Sequence, residues 1–478
     1  MIAAWLPPFG SVAGEAARAA LVLALFYAVV LGAERWHRRS HPPVEWTRKL
    51  VHFGAGLIAV SFPWLFASPW TLAVVAVAGA APVLAARRAL GSLFAVERRS
   101  LGEIYFPIAV LVLFVIGRER PIFYLVALLT MVVADTLAAV LGQAYGKHQY
   151  LVTTQRRSLE GSAVFLLTAF LVVQIPLLIG TRIDRGACIL VAAQIALLVT
   201  SFEAIGTGGS DNLLVPLAAY YLLVKLTGRP TESIALQLLV QVVILGAMVW
   251  IARRTHFLTF SGAVAAHLVL YAAFSLGGPA WIVAPALALT AAIVMDHYRV
   301  RHRGAPVPGH HVTVVFYVSI VAVLLIFSDN TFATLVPVPG GLGKGHPFLA
   351  PFVGSLAAAI AIVAYLGLEV TPLARHRPAP WRAVVGALIG FAVVVPLGLW
   401  AARGERVERM ERAPIELATA GLCCLAALAL FLALRRWVPR PAGRGWNLRY
   451  LALAVLGATL AVMPLHFRWI GAMDWTLR

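Results

Sequence analysis

Between two apolar runs the chain carries D-T-L-A-A-V-L-G-Q-A-Y-G-K-H-Q-Y-L-V-T-T-Q-R-R-S-L-E-G-S, Asp135 to Ser162. An ionised acid late in an apolar segment is costly and usually faces a cavity or a partner. Ala138, Ala139, Gly142 and Gly146 follow Asp135 at helical offsets and share one face with it. Two readings fit. The face either packs against another helix while the acid reaches for the interface, or forms a groove where a ligand lies against backbone and Asp135 holds a divalent metal through oxygen. Further on, Arg156 and Arg157 precede Ser158, Glu160 and Gly161. Ser158 is placed to cap a helix whose free N–H groups attract anions, and the two guanidinium groups suit phosphate oxygens. Lys147 is a possible further phosphate contact. Ordinary basic anchoring beside a membrane is the plainer alternative.

Two more clusters have the same character. F-E-A-I-G-T-G-G-S-D-N-L-L-V-P at 202–216 places Glu203, Asp211 and Asn212 around a glycine turn. All three offer oxygen, the ligand type magnesium takes, although a polar hairpin with Asp211 capping a helix is also consistent. R-K-L-V-H at 48–52 puts His52 on the helical side of Arg48 and Lys49, where lipid headgroups are an alternative partner.

The elements that must position these residues are membrane helices. Of 478 residues 61% are hydrophobic and 12% charged, far from the balance of a soluble domain. Most apolar stretches have the length that spans about 30 Å of hydrocarbon as helix, and strands of a barrel would be half as long and alternating. The expected fold is therefore all-α and polytopic, with about 14–16 transmembrane helices by the span-length criterion. Candidate spans lie near 16–33, 50–67, 70–86, 103–117, 120–142, 161–180, 187–204, 211–227, 232–252, 258–276, 279–296, 311–327, 348–368, 381–401, 414–434 and 448–465. The first is read as a retained anchor rather than a cleaved leader, because no cleavage site precedes the basic run Arg35–Arg39.

If the amino terminus is outside and every span crosses, most of the 39 Lys and Arg residues fall in inner loops, as the positive-inside rule demands. That orientation places the 143–160 loop in the cytoplasm of a multi-pass cell-membrane protein. The arginines are dispersed over many loops, which speaks against nucleic-acid binding. Cys188, Cys423 and Cys424 sit in apolar spans with no metal or disulfide spacing. The glycine-rich run G-G-L-G-K-G at 340–345 lacks the spacing and the Ser/Thr of a phosphate loop and reads as a turn. Polar clusters concentrate before residue 230, so residues 1–230 are expected to be a catalytic membrane domain and 231–478 an accessory one.

Taken together, the clusters over roughly residues 45–225 resemble the CTP-dependent isoprenoid-alcohol kinases, the dolichol and phytol kinase-like family. The family's Arg-Lys-x-x-His is matched by Arg48, Lys49 and His52. Its Asp-x-x-Ala-x-x-x-Gly-x-x-x-Gly is matched by Asp135, Ala138, Gly142 and Gly146. Its Lys-x-x-Glu-Gly is met by Arg157, Glu160 and Gly161, with arginine where lysine is usual. Its later Glu and Asp-Asn-x-x-x-Pro are matched by Glu203, Asp211, Asn212 and Pro216. The second half resembles in part a related family that includes phytyl-phosphate kinase. L-T-F-S-G-A-V-A-A at 258–266 matches its opening, but Ile362 and Val363 replace its Asp-Thr, and Leu366 and Gly367 its Ser-Glu. That half is expected to be a degenerate, catalytically silent repeat.

The resemblance implies transfer of phosphate from CTP to a long-chain isoprenoid alcohol. Asp135 and Asp211 would hold Mg²⁺, with Glu203 and Asn212 completing or orienting the shell. Arg156 and Arg157, with Lys147 as a further contact, would bind phosphate, Gly142, Gly146 and Gly161 would allow close approach, and Glu160 would orient Arg157 or bind metal. Arg48 and Lys49 would neutralise developing charge, with His52 assisting. The partners are a nucleotide and a membrane lipid alcohol, and the oligomeric state is open. A lipid-phosphate cytidylyltransferase, a transporter and a non-catalytic scaffold are the alternatives; paired acids near mid-membrane would mark the transporter.

Overall fold

The computed structural model describes residues 10–86, 88, 90, 91, 101–303, 309–335, 346–369, 371, 376–403, 412–438 and 445–476. The 340–345 turn lies outside them. The described residues are all-α apart from one short hairpin, and form two compact units whose division falls within one helix, between Val240 and Gln241.

The first unit contains helices α1 (Val12–Ser40), α2 (Val44–Val60), α3 (Pro69–Ala85), α4 (Gly102–Gly117) and α5 (Pro121–Tyr145), then strands β1 (Gln149–Val152) and β2 (Gln155–Ser158). It continues with α6 (Leu159–Gly180), α7 (Arg185–Ile205), α8 (Asp211–Leu226) and the start of α9 (Thr231–Thr255). Its core is Leu113, Phe114, Tyr124, Leu128, Phe165, Val191 and Ile195, all buried. The buried hydroxyls in this core are satisfied: Tyr124 donates to the Ala59 carbonyl (2.8 Å) and Tyr220 to that of Ile116 (2.6 Å).

The second unit holds α10 (Phe260–Gly277), α11 (Val283–Arg303), α12 (Val312–Leu335), α13 (Leu349–Leu368), α14 (Ala379–Arg403), α15 (Ala413–Trp437) and α16 (Trp446–Thr476). It is organised around α13, which is buried along nearly its whole length. Small residues make that possible. A Cβ on Gly390 would lie 2.3 Å from the Ala357 carbonyl oxygen and one on Gly386 2.7 Å from that of Ala361, the close helix approach that small-xxx-small spacing permits. Ile362 is fully buried in this apolar core, with Val363 and Leu366 packed against it.

Twelve helices among the described residues are long and apolar enough to cross a membrane, confirming a polytopic all-α protein. The expected spans number about sixteen on the length criterion, and the difference has a physical cause. The four remaining spans are helices of 17 residues (α2, α3) or 16 residues (α4, α8), about 24–26 Å long at 1.5 Å per residue. The expected 50–67 span ends early, at Val60, and a separate turn over Phe62–Leu65 follows, with Pro63 inside it. Three of these short helices, α2, α4 and α8, begin at the polar cluster described below, so their first turns serve it rather than hydrocarbon.

Two features brought the site together without a sequence signal. α5 contains a π-helical turn at Thr130–Ala134, immediately before Asp135, a widening common at functional sites. Beside it α2 and α5 nearly touch: a Cβ on Gly56 would fall 2.1 Å from Val132 Cγ2. Gly56→Ala is expected to destabilise the protein by about 1–3 kcal/mol through overpacking, read as a lowered Tm in detergent. Gly246→Ala, where a Cβ meets nothing within 4 Å, serves as the control and is expected to leave Tm unchanged or slightly raised. Equal melting of the two variants would refute the contact.

Candidate active site

One end of the first unit gathers the amino-terminal turns of α2, α4, α6 and α8, the carboxy-terminal turns of α5 and α7, and the hairpin. A polar cavity of about 410 Å³ lies among them, lined by Glu45, Arg48, Lys49, Glu103, Asp135, Arg156, Arg157, Glu203, Asp211 and Asn212, with Ala138, Ala139, Gly142, Gly146 and Gly161 on its backbone wall.

The side chains are tied in two networks. On α2, Lys49 Nζ forms an ion pair with Asp135 Oδ2, and His52 Nε2 lies 3.5 Å from the same oxygen. Phe106 packs edge-on against the His52 ring, centroids 5.0 Å apart. Arg48 does not join this pair; its guanidinium forks onto Glu45 one turn back, at 2.5 and 3.0 Å. In the second network Arg157 is the hub. One of its nitrogens pairs with Glu203; the other donates to the Gly206 carbonyl at 2.9 Å and to Asp211 Oδ2 at 3.1 Å. A single guanidinium thus joins the hairpin to the end of α7 and the start of α8. The turn between those helices needs left-handed backbone at Gly208 (φ 62°) and Gly209 (φ 87°), conformations glycine adopts without steric cost.

The hairpin explains why Arg156 and Arg157 differ. Strand neighbours point to opposite faces, so Arg157 turns into the networks while Arg156 remains exposed at the cavity wall. Ser158 ends β2 and caps α6, its hydroxyl accepting from Gly161 N at 3.1 Å. Tyr150 on β1 bonds to Ser162 (2.9 Å) and to the Ala204 carbonyl (3.4 Å), and burial raises its phenol above the ordinary value, so it stays a donor.

Other expected site residues serve the frame. Glu160 accepts from the His148 backbone N–H and contacts its ring at 2.7 Å, closing the base of the hairpin rather than reaching Arg157. Lys147 is exposed and is not part of the cavity lining. The glycines do both things considered above. A Cβ on Gly142 would sit 3.0 Å from Gly161 Cα, and one on Gly146 2.6 Å from Ser158 Oγ, so they pack α5 onto the start of α6 while their exposed sides line the cavity.

Glu45 and Glu103 belong to the site and were not singled out from sequence. Glu45 had a signal, its i,i+3 spacing to Arg48. Glu103 had a weaker one, an acid in the first turn of an apolar helix. Glu103 is informative because it also lines a second, apolar cavity of about 190 Å³ between α1, α2, α3 and α4. Arg48, Glu103 and Asn212 are common to both cavities, and His52 lines the apolar one. Asn212 is fixed there by donating to the Gly102 carbonyl at 3.3 Å.

Magnesium fits this donor set. The cavity offers carboxylate and amide oxygens, and Glu203 Oε2 is buried without a hydrogen-bond partner. Among the described residues no three His, Cys, Asp or Glu side chains close a cage. The fit is therefore to an ion held by one or two carboxylates and completed by phosphate and water, the usual arrangement for Mg²⁺.

Arg157→Ala would strand two largely buried carboxylates. Its expected cost is about 3–5 kcal/mol, read as a fall in Tm in detergent, and Glu203→Gln added to the same chain is expected to recover part of it. An unchanged Tm in the single variant would show that Arg157 is not the hub.

No protein-family model matches the chain, and no solved structure does. A curated relative does: the chain is 36% identical over 198 residues to the phytol kinase of Synechocystis sp., an alignment covering 40% of this chain and 84% of the relative. The chain therefore belongs to the phytol kinase family of phosphotransferases.

Proposed function

We propose that the protein transfers the terminal phosphate of CTP to the hydroxyl of a long-chain isoprenoid alcohol of the phytol, polyprenol or dolichol type, at the cytoplasmic face of the membrane. The observation that carries this reading is the junction of the two cavities. A charged cavity and an apolar one, each unsuited to the other's contents, share Arg48, Glu103 and Asn212. Membership of a lipid-alcohol kinase family supports the chemistry, the sequence resemblance supports CTP, and the distribution of basic residues supports the cytoplasmic orientation.

Phosphoryl transfer asks the protein for position and charge compensation. Four helix amino termini face the charged cavity, and each contributes the positive end of a dipole toward phosphate. Arg156 and Arg157 would take phosphate oxygens, and Lys49 and Arg48 would balance charge developing on the transferred group. Gly142, Gly146 and Gly161 let the donor lie against backbone. Asp135 and Asp211 would hold Mg²⁺, with Glu203 and Asn212 orienting its shell; when bound, the ion screens the triphosphate and offsets charge on the leaving phosphate. The acceptor oxygen forms the new bond to the γ-phosphorus as the bond to the bridging oxygen breaks and CDP departs. The hydroxyl proton passes to His52, which lines the apolar cavity and is oriented by Asp135 3.5 Å away. The second unit acts as an accessory domain, its apolar core occupying the positions where the related family carries acids.

The test is transfer from labelled CTP by the detergent-purified chain, with Mg²⁺ and phytol, farnesol or a polyprenol. Expected are a phosphorylated alcohol and CDP, abolished by EDTA and reduced at least ~100-fold in kcat by Asp135→Asn, the scale of a lost electrostatic group at the reacting centre. Pyrophosphate in place of CDP would mark a cytidylyltransferase instead, and full activity in Asp135→Asn would overturn the site assignment.

A further inference from the structure

Resting on the reading above, we propose that the apolar cavity between α1, α2, α3 and α4 is the binding site for the acceptor's hydrocarbon chain, and that Ala55 and Ala76 set how long a chain it takes.

The cavity abuts the charged site across Arg48, Glu103 and Asn212, which line both, so a chain lying in it brings its head group to the side chains that face the phosphate donor. Below that seam the lining is hydrocarbon apart from His52, and small residues, among them Gly79 and Ala80, leave it open. Ala55 on α2 and Ala76 on α3 line it midway. Phe62, in the short turn that follows α2, and Leu72, in the first turn of α3, both buried, line its far end.

Its length follows from helix geometry. Arg48 to Ala59 along α2, and Leu72 to Leu84 along α3, each cover about 17–18 Å at 1.5 Å per residue. With C–C bonds of about 1.5 Å an extended isoprene unit spans roughly 5 Å. The walls therefore run alongside three to four units, of which the enclosed volume of about 190 Å³ surrounds part and the membrane the rest, and a longer polyprenol would extend past Phe62. An acyl chain of an ordinary membrane lipid is the competing occupant, but it brings no hydroxyl to the seam.

The position of Ala55 makes the assignment testable. It lies about 10 Å below Arg48 on the same helix, so a phenyl ring there leaves room for two units and blocks the third. Full-length protein in detergent would be assayed with labelled CTP and linear prenyl alcohols of two, three, four and five units. Ala55→Phe is expected to lower the four-unit to two-unit ratio of kcat/KM at least ~10-fold, since each unit deprived of burial forfeits several methylene contributions, while KM for CTP stays unchanged. Ala76→Phe, on a different helix, is expected to do the same, so that misfolding of one variant leaves the other to decide. Phe62→Ala is expected to raise activity on the five-unit alcohol relative to the four-unit one. If wild-type protein phosphorylates none of the alcohols, the kinase reading itself fails. If it phosphorylates them and the folded variants keep the wild-type length ratio, the chain binds elsewhere, and the tail-site assignment is overturned while the kinase reading stands.

Discussion

A carboxylate set into an apolar helix must find a cation, and this requirement shapes the first unit. Asp135 is reached by Lys49 from α2; Glu203 and Asp211 are reached together by Arg157 from the hairpin. The pairs do more than cancel charge. Each bridges elements far apart in sequence, so neutralising the acids also draws α2 onto α5 and the hairpin onto α7 and α8. A buried pair contributes little net stability against an apolar substitute, but removing one partner is expensive because the other charge is stranded. The site is therefore held in place less by what its ion pairs add than by the penalty of breaking them.

The same pairing bears on how a nucleotide would enter. Every basic group in the two networks already faces an acid, so a triphosphate arriving alone would meet carboxylates as well as cations. A magnesium-bound triphosphate carries both signs. Carboxylate oxygens such as the unpartnered Glu203 Oε2 would turn to its metal, and guanidinium and ammonium groups to its phosphates. Exchange of partners then replaces loss of them, and no buried charge is left alone along the way.

Much of the fold and part of this site were legible in the sequence, for different reasons. Membrane helices announce themselves because hydrocarbon admits no other local solution for an open chain, and the acids announce themselves because they are costly there. Partner choice does not, since it depends on angles between helices. Arg48 and Lys49 are adjacent in sequence, yet one turns back to Glu45 and the other crosses to Asp135. Glu160 sits beside Arg157 in the family pattern but serves His148. The four-residue strands of the hairpin are too short and too polar to stand out, and the π-helical turn before Asp135 has no residue signature. Glu103 was overlooked because a charge at a helix boundary reads as a boundary.

Under the proposed function the deepest constraint is that the two substrates would have opposite solvation. A triphosphate is stable in water or among charges, a long prenyl chain in hydrocarbon, and a productive encounter needs both reacting atoms in one dry place, since water at that point would compete with the alcohol for phosphate. The seam residues suit that role. Arg48 has an apolar stem for one side and a guanidinium for the other; Asn212 is pinned by a backbone carbonyl and is uncharged; His52 stands in the apolar wall with its ring edge against Phe106 and its Nε2 toward Asp135. A chain filling the apolar cavity would close the lipid side of the seam with its own bulk, so the acceptor itself would supply the water exclusion that its phosphorylation requires.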